Sequence, residues 1–81
     1  MSLNRALTYL KSEIRSRGRE NGVVSAADVS NVMRLHFEGS ERGGFVTKAF
    51  RDLIVEGFLR RTERTEINQN TRHQVTVYRV R

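Results

Sequence analysis

The 81-residue sequence contains no cysteine and no proline. Without thiols there is no disulfide framework and no thiolate metal site. Cysteine-free composition fits a reducing compartment, so the expected location is cytoplasmic. Without proline, every break between elements must rest on glycine or on side-chain caps. No long apolar run is present, which predicts no membrane span. The opening residues, Met1 to Arg5, lack the apolar core and small-residue cleavage site of a signal peptide. His36 and His73 stand far apart, with no carboxylate or cysteine at ligand spacing beside either, so no metal is expected. Gly43-Gly44 is not followed by Gly-Lys-Ser/Thr, and no nucleophile elbow occurs. The sequence therefore offers no catalytic residues and no cofactor site, and an enzyme is not expected.

What is present is positive charge. The chain carries 15 Lys and Arg against 9 Asp and Glu, a formal net charge of +6. Residues 1–22 hold five basic and two acidic residues, net +3. Residues 23–59 hold four and five, net −1, and residues 60–81 hold six and two, net +4. Both ends are basic and the middle is near neutral. Such a balance favours a polyanionic partner, although net charge also serves plain solubility. The length allows one domain, residues 1–81, with a small core and no substantial cleft.

The periodicity gives an α+β order. Ser2 is placed to cap a first helix, in which Leu3, Ala6, Leu7, Leu10 and Ile14 form an amphipathic stripe. Lys11, Arg15 and Arg17 lie away from that stripe, and Glu13 is spaced to pair with Arg17. Gly18 and the Asn21-Gly22 pair are expected to end the helix. Val23-Val24 forms a short apolar step. Ser25, with Asp28 three residues on, reads as a capping box with Asp in place of Glu. Ala26, Val29, Val32 and Met33 would then be the buried stripe of a second helix running to Leu35 or His36. Gly39, Gly43 and Gly44 predict a loop, with Gly43-Gly44 a hinge or close-packing point and Phe37 and Phe45 anchoring it. A third helix follows, with Val46, Phe50, Leu53 and Ile54 on its apolar face and Gly57 at its C-terminal cap. Phe58-Leu59 opens a strand, and Gln74–Val80 returns. Val75 and Val77 are expected to face the core, with Thr76 and Tyr78 facing out. Asn68-Gln69-Asn70 marks the tip of this hairpin, since Asn tolerates left-handed backbone.

The run Ser25-Ala26-Ala27-Asp28-Val29 resembles the start of the second helix of a winged helix-turn-helix domain. The spacing of Val46, Phe50, Leu53, Gly57, Phe58 and Leu59 resembles that family's third helix running into its wing. The resemblance covers roughly Leu3 to Val80. It implies a winged helix, with three helices, a short first strand and a C-terminal β-hairpin wing. It also implies a double-stranded DNA partner and a role in transcription regulation, replication or recombination. On that resemblance the third helix would enter the major groove through Phe45, Thr47, Lys48 and Arg51. The wing would contact DNA through Arg61, Arg64, Asn68, Gln69, Asn70, Arg72 and His73. The segment from His36 to Gly44 is longer than the tight turn usual in the family.

Each of these residues has a plainer reading. Thr47, Lys48 and Arg51 also fit a solvated helix face, and the amides also fit a simple turn. Lys11, Arg15 and Arg17 are possible phosphate contacts or a solvated first helix. Because fold does not fix function, a protein–protein module is the alternative from another class, and an RNA-binding winged helix is a third. A homodimer through the first helix is a further expectation, because two half-sites supply affinity that one small module lacks.

Overall fold

The computed structural model of the chain describes residues 3–29, 41–69 and 72–81. Helix α1 spans Leu3–Asn21, and strand β1 spans Val23–Ser25. A 3₁₀ turn, Ala26–Val29, follows. Helix α2 spans Glu41–Val55, and strands β2 and β3 span Leu59–Ile67 and Gln74–Val80. The protein is therefore α+β, with a three-stranded antiparallel sheet in the order β1-β3-β2. Only the first turn of the expected second helix is described. Val32, Met33, Leu35, His36 and Phe37 lie outside the described residues, as does Ser2.

Glycine sets both described helix ends. Gly22 (φ 78°) stops α1, and its N–H donates to the Gly18 carbonyl at 2.7 Å. Gly57 (φ 85°) stops α2 in a Schellman arrangement. Its N–H reaches the Ile54 carbonyl, and the Phe58 N–H reaches that of Leu53, at 3.0 and 2.9 Å. Gly18 does not end α1 but lies within it, against the sheet. A Cβ there would sit 2.9 Å from Val80 Cγ2, so glycine allows the close approach of helix and strand.

The side-chain arm of the expected capping box forms, while the Ser25 hydroxyl takes the N–H one residue earlier than the box would. The Asp28 carboxylate accepts from the Ser25 N–H at 2.7 Å, and the Ser25 hydroxyl accepts from the Ala27 N–H at 3.2 Å.

Gly43 and Gly44 are not in a loop. They lie in the first turns of α2, and a Cβ at Gly44 would meet no described residue within 4 Å. Each glycine costs a helix about 1 kcal/mol. The apolar face behind them outweighs that, because Ala49, Phe50 and Leu53 are buried and Phe45, Val46 and Ile54 pack beside them.

The core joins Ala6, Leu10 and Ile14 of α1 to that face and to Val24, Val29 and Leu59. Each large aliphatic side chain buried there contributes roughly 1.5–3 kcal/mol. The expected faces of β3 are reversed at Tyr78, which stacks on Phe50 with ring centroids 4.7 Å apart and packs on the core. The register explains this. Val24 pairs with Tyr78 and Leu59 with Val80, so all four share the face turned to the helices. Val77 is buried on the opposite face.

The hairpin is irregular. Near the tip Ile67 pairs with Gln74 and Thr65 with Thr76, but Arg61 then pairs with Tyr78. Thr62, Glu63 and Arg64 thus oppose Val77 alone, a bulge with two extra residues. The Thr62 hydroxyl holds it, donating to the Val77 carbonyl at 2.6 Å and accepting from the Arg64 N–H at 3.1 Å.

Candidate nucleic-acid interface

On α2, the spacing of Thr47, Lys48 and Arg51 puts them on one exposed helix face. Lys48 is 3.8 Å from Asp52, one turn on, in an exposed pair worth little. Phe45 does not join this face. It is half-buried and packs on the core, because its position continues the stripe of Ala49 and Leu53.

Three cations of α1, Lys11, Arg15 and Arg17, stand beside carboxylates. Lys11 Nζ lies 3.0 Å from Glu56 and 3.8 Å from Asp52, and Arg15 lies 3.5 Å from Glu56. These pairs tie α1 to the end of α2, so a phosphate would have to compete for both cations. Arg17 stands 3.9 Å from Glu13 one turn away, the pair that the spacing predicts. Its Nε is buried without a hydrogen bond.

The hairpin is different. Arg60, Arg61, Arg64, Arg72, Arg79 and Arg81 form no ion pair with a described residue. All six are exposed. The sheet divides them. Arg61 pairs with Tyr78, so it shares the face turned toward the helices. Arg64 and Arg79 line a shallow concavity on the opposite face, and Arg60 pairs directly with Arg79. Arg60 and Arg79 were not legible as site residues. An uninterrupted hairpin counted from the tip would set Arg60 against Arg81, and only the bulge moves it opposite Arg79.

At the tip, Asn68 is 5% exposed and so does not present its amide to a groove. Its backbone closes the loop instead. The Asn68 N–H donates to the His73 carbonyl at 2.9 Å, and the Asn68 carbonyl accepts from the Arg72 N–H at 2.6 Å. Gln69 and His73 are exposed, whereas Asn70 lies outside the described residues. Among the described residues of the tip, the left-handed one is Arg72 (φ 61°), and Asn68 is not.

Among the described residues, no three His, Asp or Glu side chains gather into a metal-binding group. Among them also, no helix is long and apolar enough to cross a membrane. Comparison with known proteins finds no matching family model, no matching curated protein and no matching solved structure.

Proposed function

We propose that the chain is a winged helix-turn-helix domain that binds double-stranded DNA, as a regulator of transcription or an accessory factor of replication or recombination. The supporting observation is the distribution of uncompensated charge. Six exposed hairpin arginines have no ion-pair partner among the described residues, while Lys11, Arg15 and Arg17 of α1 and Lys48 of α2 stand beside carboxylates. Solubility alone requires no such segregation. Thr47, Lys48 and Arg51 then supply limited base readout, while Arg61, Arg64 and Arg72 neutralise phosphates. Such a protein works inside the cell, on DNA.

The test is fluorescence anisotropy with a labelled random-sequence duplex at low and moderate salt. Binding should fall steeply with salt, since each neutralised phosphate releases counterions. Arg64→Ala and Arg72→Ala should weaken binding to all sequences. Lys48→Ala and Arg51→Ala should change sequence preference. Four variants with unchanged isotherms would remove these residues from the interface.

A second reading, docking on a protein partner, is favoured by Val55 and Ile67, which are 81% and 47% exposed. Absence of duplex binding even at low salt would move the assignment there.

A further inference from the structure

We propose that the outer face of the sheet, turned away from the helices, carries a phosphate-binding site built from Arg64 and Arg79 with Arg60 beside them. The concavity on this face has Val77 and Thr62 in its lining and Gly22 and Val23 along one side. Val77 is buried there. Arg64 and Arg79 complete the lining.

Arg60 and Arg79 face each other directly across β2 and β3. Like charges in that position destabilise a sheet. No described carboxylate relieves them, because neither arginine forms an ion pair and Glu66 of β2 is engaged by Ser25. An anion between the guanidinium groups would relieve this repulsion. The bulge adds the third charge. Its Thr62 hydroxyl fixes the Arg64 backbone over Val77, on the same side as Arg79. Bulges recur where a strand must re-aim a side chain.

One feature opposes an anion here. The C-terminal end of α1, at Asn21, borders the same concavity with about half a negative charge. Two full guanidinium charges line it and a third adjoins, so the positive potential prevails. Planar guanidinium forks match the oxygens of phosphate and bind them in pairs. A nucleic-acid diester and a free phosphoryl compound present the same oxygens to these groups. The site does not depend on DNA contact by α2 and would stand without it.

The experiment is an NMR titration of the full chain with two separate probes, inorganic pyrophosphate and a short single-stranded oligothymidylate. Saturable shifts are expected at the Gly22 and Val23 amides and at the Nε–H groups of Arg64 and Arg79. Arg64→Gln/Arg79→Gln should lower apparent affinity about ten-fold or more, given the worth of charged hydrogen bonds. Preserved amide dispersion will show that this variant folds, and Arg64→Gln alone provides a milder second variant. Saturation by pyrophosphate alone assigns a free phosphoryl ligand, and saturation by the oligonucleotide alone assigns a strand backbone. Shifts that fail to saturate, or that survive in both the double and the single variant, overturn the site. Duplex binding that fails in the anisotropy assay while pyrophosphate still saturates this face would reject the DNA reading and keep the site.

Discussion

The Ser25 hydroxyl donates to the Glu66 carboxylate, joining residues 41 positions apart. The same hydroxyl caps the 3₁₀ turn at Ala27. One buried side chain therefore holds both the start of the second helical segment and the outer half of the hairpin. Orientation of the hairpin is thereby coupled to a helix cap.

Ser25→Ala should cost about 1–2 kcal/mol, the usual penalty for a lost cap with a buried partner left behind. Urea denaturation followed by circular dichroism measures this. In a double-mutant cycle with Glu66→Ala, the pair should show a coupling of about 0.5 kcal/mol or more. Simple additivity would mean that the hairpin is not tied to the cap.

Gly18→Ala should destabilise by about 1 kcal/mol, although alanine is the better helix former. The new methyl would meet Val80 Cγ2 at 2.9 Å, and overpacking costs roughly 1–3 kcal/mol against about 1 gained in propensity. In a Val80→Ala background the clash is gone and the same substitution should stabilise. A loss of equal size in both backgrounds would show that the contact with Val80 is not the cause.

Arg72→Gly should stabilise the protein while weakening its binding to polyanions. Arg72 has φ 61°, a conformation glycine adopts without a Cβ penalty, and relief of about 0.5–1 kcal/mol is expected. Thermal denaturation and salt-dependent anisotropy read the two effects separately. If both stability and binding fall, the arginine is serving the loop itself.

Glu56→Gln should strengthen DNA binding at low salt. It frees Lys11 and Arg15, which Glu56 now holds at 3.0 and 3.5 Å. Released cations add phosphate contacts, so the dependence of log K on log salt should steepen by about one to two. Stability should change by less than about 1 kcal/mol, since the pairs are partly exposed. An unchanged slope would place this edge of α1 away from DNA.

The sequence by itself determined what depends on neighbouring residues. Gly22 and Gly57 stop helices because only a residue without a Cβ adopts positive φ there freely, and both were legible as caps. Ser25 and Asp28 cap the 3₁₀ turn within four residues, Asp28 through the Ser25 N–H and Ser25 through the Ala27 N–H. The β-branched run Gln74–Val80 forms the strand it predicts. The basic character of the hairpin was equally legible, since it is read from composition.

Tertiary structure decided what depends on residues far apart in the chain. Alternation shows that successive residues of β3 take opposite faces, but not which face meets the helices. Phe50, 28 positions away, selects Tyr78. Whether Gly43-Gly44 would be loop or helix depended on the core behind Ala49 and Leu53. Lys11 and Arg15 look like free cations until Asp52 and Glu56 are brought beside them. The pairing of Arg60 with Arg79 depends on a bulge, and the bulge brings Leu59 opposite Val80. Continuing the tip register would run Leu59 past the end of β3. Local backbone preference is short-ranged and can be read along the chain, whereas face, register and ion pairing minimise free energy over contacts that only the folded chain creates.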